Sequence, residues 1–68
     1  MNKVKFYREK RGWSVKKLAE KAKVTPPTIY DIESGKPVDI KFSTMLAISK
    51  ALKLKLDTLF LTLKVKYG

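Results

Sequence analysis

Apolar residues recur along this chain at helical spacing, and Gly, Pro and small hydroxyl residues divide them into five pieces. The first predicted helix covers Asn2 to Arg11, with Val4, Tyr7 and Arg11 on one stripe and Gly12 as its stop. Ser14 follows as an N-cap, its hydroxyl placed to accept from a free backbone N–H of the next turn. The second helix covers Val15 to Ala22, with Leu18, Ala19 and Ala22 on one face. After a break at Lys23-Val24, Thr25 stands as a second N-cap. Pro26 suits a first helical turn, where a missing N–H costs nothing. Ile29 and Ile32 form the inward side of this third helix, spanning 25–34, and Gly35 ends it. Pro37 to Lys41 reads as loop. Phe42 or Ser43 opens a fourth helix, apolar at Met45, Leu46, Ile48, Ala51 and Leu52. Leu56, Leu59 and Phe60 predict a short fifth helix, with Asp57 favourable in its first turn.

Past Phe60 the period changes. Leu61, Leu63, Val65 and Tyr67 alternate with Thr62, Lys64 and Lys66, a strand pattern of period two. A lone strand has unpaired edges and needs a partner. The tail 61–68 is therefore a candidate dimerisation strand, pairing with its copy in a second subunit. A frayed or merely packed tail is the alternative. The expected fold class is all-α: a compact five-helix domain over 1–60, followed by this short C-terminal β-strand.

Length and composition then narrow the chemistry. Sixty-eight residues make one domain with one modest core, and a hydrophobic content of 44% is enough to fold it. Cysteine is absent, which excludes a disulfide framework and a thiolate metal site. Histidine is absent too, which removes the commonest general base and metal ligand. Only six carboxylates remain, and they form no catalytic constellation, so neither an enzyme nor a cofactor is expected. No stretch approaches the roughly 18 apolar residues of a membrane span. Met1-Asn2-Lys3-Val4-Lys5 has no apolar signal core behind it, so a cytoplasmic location without a membrane partner is expected. Sixteen Lys and Arg against six Asp and Glu give a formal +10, which fits a partner rich in phosphate. Membrane surfaces and acidic proteins also attract basic chains. Short capped helices with apolar faces favour a folded core over a cationic membrane-active peptide.

The segment from Ser14 to Gly35 sets two short capped helices one behind the other. Leu18, Ala19, Val24, Ile29 and Ile32 are placed to lock them at a steep angle, and the small Ala19 lets them approach closely. Pro26, Pro27, Tyr30, Asp31 and Ser34 face outward. With Arg8, Thr25, Thr28, the run Ile32-Glu33-Ser34-Gly35-Lys36, Leu46, Ala51-Leu52 and Leu56-Asp57-Thr58-Leu59-Phe60, these residues resemble the Cro/repressor-type (XRE) helix-turn-helix family. The likeness covers about Val4 to Phe60. It implies a third helix lying in the major groove of double-stranded operator DNA and a second helix crossing the phosphate backbone, in a homodimer. By the same resemblance the base-reading positions are Val15, Pro26, Pro27, Tyr30 and Asp31. The phosphate-contacting positions are Ser14, Lys16, Thr28, Ser34, Lys36 and Lys41. Arg8 and Glu33 match a structural ion pair that joins the first helix to the third, where a bidentate bond would fix the reading helix.

The chain departs from the family at three places. Val15 replaces a polar residue, often Gln, and offers only apolar contact, for instance to a thymine methyl. Lys23 stands where Gly is usual; in a left-handed backbone it costs roughly 1 kcal/mol relative to Gly. The loop after Gly35 is one residue longer, with Asp39-Ile40 where a Pro is usual. Two prolines open the reading face, which leaves readout to Thr28, Tyr30 and Asp31. Asp31 can accept from cytosine N4, or can serve as a neighbour for Lys or Arg. Tyr30 reads a base or packs in part. Trp13, Phe6, Tyr7, Phe42 and Phe60 are expected in the core, with Phe6 the best candidate for exposure. Lys50, Lys53 and Lys55 are expected as solvated charge. The functional expectation is a sequence-specific transcriptional regulator, acting as a repressor. The alternative is an antitoxin or polymerase-associated interaction protein whose main partner is another protein.

Overall fold

The computed structural model describes residues 2–35 and 40–60. Among them are five α-helices and no strand: α1 (Val4–Lys10), α2 (Val15–Ala22), α3 (Pro26–Glu33), α4 (Phe42–Leu52) and α5 (Leu56–Leu59). The loop residues 36–39 and the alternating tail 61–68 lie outside the described residues.

The helix ends follow from local chemistry. The Asn2 side chain accepts the Val4 N–H at 3.0 Å, so α1 starts two residues later than the apolar pattern predicts. It stops at Lys10, where Gly12 turns to φ +70 and donates to the Glu9 carbonyl at 2.9 Å. Ser14 caps α2 by accepting the Lys17 N–H at 3.0 Å. Thr25 occupies the N-cap position of α3 with extended backbone, yet its side chain makes no cap bond. The reason is that Pro26 and Pro27 carry no N–H, which leaves fewer orphan donors to satisfy. The next N–H, of Thr28, bonds the Thr25 carbonyl at 3.0 Å. The Thr25 hydroxyl pairs instead with that of Thr28, also at 3.0 Å.

One turn geometry occurs twice. α2 ends at Lys23 (φ 59, ψ 42) and α4 at Lys53 (φ 56, ψ 44), both left-handed. In each, the following residue closes the helix from five positions on: Val24 N–H to Ala19 O and Leu54 N–H to Ser49 O, both at 3.0 Å. Each turn then runs through one extended residue, Thr25 or Lys55, into the next helix. Lys23 stands where the family resemblance implies a Gly; the left-handed Lys53 has no such expectation.

The core gathers Val4, Leu18, Ile29, Ile48, Leu52 and Leu59, all fully buried, with Ala19, Ala22, Ile32, Met45 and Phe60 around them. α2 packs against both α3 and α4, α4 against α5, and α1 against α3. The Lys3 N–H donates to the Leu59 carbonyl at 2.8 Å, so the start of α1 meets the end of α5. Ser49, the one neutral polar side chain buried among the described residues, donates to the Met45 carbonyl one turn back at 2.9 Å.

Three expectations about sidedness fail. Arg11 is not on the buried stripe of α1; the helix ends before it, and Arg8 joins Val4 and Tyr7 on the inner side. Phe42 is 61% exposed and Leu46 36% exposed. They sit four residues apart, along one edge of the buried side of α4 that Met45, Ile48, Ser49 and Leu52 form. Trp13 and Tyr7 are half-buried at the core margin, and Phe6 is exposed.

Candidate nucleic-acid interface

α3 is buried on one side and bare on the other. Ile29 and Ile32 pack into the core, while Pro26, Pro27, Tyr30, Asp31 and Ser34 are exposed. Pro27, Tyr30, Asp31 and Ser34 fall at i, i+3, i+4 and i+7, a single outward stripe. Tyr30 is 61% exposed, so its ring projects instead of packing against its own domain. Thr28 is half-buried, its hydroxyl held by Thr25. The Ser34 hydroxyl donates to the Asp31 carbonyl at 2.7 Å.

The remaining candidate positions lie at the ends of other elements. Ser14 and Lys16 are exposed at the start of α2. Val15 is half-buried and packs partly against the core, which leaves it a narrow apolar edge. Lys41 is exposed at the N-cap of α4. Lys36 lies outside the described residues. The α2–α3 packing joins the helix that Ser14, Val15 and Lys16 open to the helix that carries the stripe.

The orientation of α3 is held from α1. Arg8 Nε donates to Glu33 Oε2 at 2.7 Å and Nη2 to Oε1 at 3.1 Å, a bidentate pair. Nη1 donates to the Trp13 carbonyl at 2.7 Å. Both side chains of the pair are at most a tenth exposed. The hydrogen bond to Glu33 raises the Arg8 pKa above its ordinary value, against the opposing effect of burial. Lone burial would favour loss of charge; here the partner dominates.

A second tether escapes the sequence reading. Asn2 Nδ2 donates to the Ile32 carbonyl in the last turn of α3 at 2.9 Å, while its Oδ1 holds the Val4 N–H. The sequence signal was present, because Asn just ahead of an apolar run is a capping residue; its long-range bond was not. Arg11 is the other omission: its guanidinium donates to the Leu52 carbonyl at the end of α4.

An outward helix held by two tethers, with an exposed stripe on its free side, has the shape to enter a groove about 12 Å wide. No helix among the described residues is long and apolar enough to cross a membrane. A family model described as helix-turn-helix matches residues 4–59, nearly the whole chain. No curated protein and no solved structure matches it. The matched span contains all five helices and both tethered elements, and on it the chain belongs to the Cro/repressor-type (XRE) helix-turn-helix family of DNA-binding transcription regulators.

Proposed function

We propose that the protein is a repressor that binds operator DNA as a homodimer, with α3 in the major groove. The observation that carries this reading is the bare stripe Pro27, Tyr30, Asp31 and Ser34 on a helix whose opposite side is sealed by Ile29 and Ile32. Tyr30 and Asp31 offer a hydroxyl and a carboxylate to base edges, Asp31 to cytosine N4. Pro26, Pro27 and Val15 offer apolar contact to thymine methyls. Ser14, Lys16, Thr28, Ser34, Lys36 and Lys41 meet phosphates, which supply most of the affinity. Arg8 and Glu33 keep the reading helix in register from behind.

Selection of bound sequences from a random duplex pool, at fixed salt, tests the reading. The expected product is a palindrome with half-sites about one helical turn apart, or a multiple of it. Enrichment of no sequence over the starting pool would overturn specific operator reading. Enrichment of a single unpaired half-site would overturn the dimer.

A further inference from the structure

Arg11, Trp13 and Lys21 form a cluster that the reading helix does not use. The Arg11 guanidinium carbon lies 5.4 Å from the centre of the Trp13 ring, and the Lys21 ammonium 5.9 Å from it. Arg11 is held again by the Leu52 carbonyl, at the C-terminal end of α4. Two cations gathered on one indole are pre-ordered: the ring's negative face attracts them, and less side-chain freedom remains to be lost on binding. Among the described residues neither has a carboxylate partner; the ion pairs there belong to Arg8. Lys50 and Lys53 are exposed at the same end of α4.

The placement is informative. Trp13 directly precedes Ser14, where the phosphate track assigned to α2 begins. From there the cluster runs to the far end of α4, at Leu52, about 16 Å from Lys41 at a rise of about 1.5 Å per residue. Charge therefore continues away from the groove-bound stripe instead of ending at it.

We propose that Arg11 and Lys21, seated on Trp13, form a second phosphate-binding surface that grips duplex DNA flanking the segment read by α3. This inference rests on the DNA reading above and names a further part of the same partner. An acidic protein would also answer to positive charge. Continuity with the N-terminus of α2 favours the DNA backbone, which carries one negative charge per about 1.7 Å of axis.

The test measures affinity against salt for two duplexes sharing one selected core. One ends at the core, and the other extends by about one helical turn on each side. Lys21→Gln is the main variant, because among the described residues its ammonium makes only the ring contact. Arg11→Gln is paired with Arg11→Lys, which restores charge, and thermal melts verify folding. On the long duplex Lys21→Gln is expected to weaken binding several-fold and to lower the slope of log affinity against log salt by about 0.9, one phosphate's worth. Arg11→Gln is expected to do the same and Arg11→Lys to recover it. On the short duplex all variants should match the parent. Unchanged affinity on the long duplex, or an equal loss on both lengths, would overturn the second surface and leave the reading helix intact. Loss of binding to poly-glutamate with DNA binding unaltered would overturn it in favour of an acidic protein. A parent protein that binds neither duplex would overturn the DNA reading and this inference together.

Discussion

Arg8 places three nitrogens on two partners, the Glu33 carboxylate and the Trp13 carbonyl, and so joins α1, the α1–α2 turn and α3 at one point. Removing the guanidinium leaves a nearly buried carboxylate without its counter-charge. Arg8→Ala is expected to cost about 3 kcal/mol in urea unfolding followed by circular dichroism, much of what a core this small supplies. The double change Arg8→Met with Glu33→Leu should cost less than Arg8→Ala alone, since no charge is stranded. If the double variant is the less stable, the pair contributes more than it costs to bury. On the outer side, Asp31→Ala should relax base preference at one position, while Lys16→Ala should weaken all sequences alike and flatten the salt slope by about one. Equal effects of the two on every duplex would remove the division between reading and anchoring. Arg8 and Glu33 were legible because a family pattern pairs them. Asn2 was not, because a bond to a carbonyl 30 positions away leaves no local mark in the chain.

Among the elements, α2 and α3 look alike in sequence, each led by a hydroxyl residue, yet their starts differ in kind. Ser14 satisfies a backbone N–H and Thr25 does not. Ser14→Ala is therefore expected to cost about 1 kcal/mol, and Thr25→Ala to stay within about 0.5 kcal/mol. A cost at Thr25 as large as at Ser14 would show that its hydroxyl pair with Thr28 stabilises α3 as much as a cap does. The two left-handed lysines make a complementary case. Lys23→Gly and Lys53→Gly should each stabilise by up to about 1 kcal/mol, or raise Tm by about 4–8 °C in a domain of this size. A fall in Tm for either would mean that its side chain compensates the backbone. Helix existence was readable from spacing throughout, and α2 and α3 were placed almost to the residue. Sidedness was harder in α4. Phe42 and Leu46 are apolar, so hydrophobicity alone could not separate them from Met45 and Ile48; only the packing of α2 and α5 decides which side is covered.

At the scale of the molecule, a formal +10 is spread over one small domain. The cations repel one another in the folded state, and screening relieves this; the same screening weakens attraction to phosphate. Raising salt from about 0.05 to about 0.2 M is thus expected to raise the melting temperature while lowering DNA affinity steeply. Parallel movement of both quantities would contradict the electrostatic account. The net charge was legible as a count, and the count pointed to polyanions. Which cations are paired depended on three-dimensional neighbours: among the described residues Arg8 alone is matched to carboxylates, while Arg11, Lys10 and Lys21 lie over aromatic rings. Asn2 gives the architecture one further property. Because its amide is fastened to the Ile32 carbonyl, the residue just ahead of α1 is part of the mounting of α3. Asn2→Ala removes both of its bonds at once, so it should disturb target discrimination as well as lower the melting temperature.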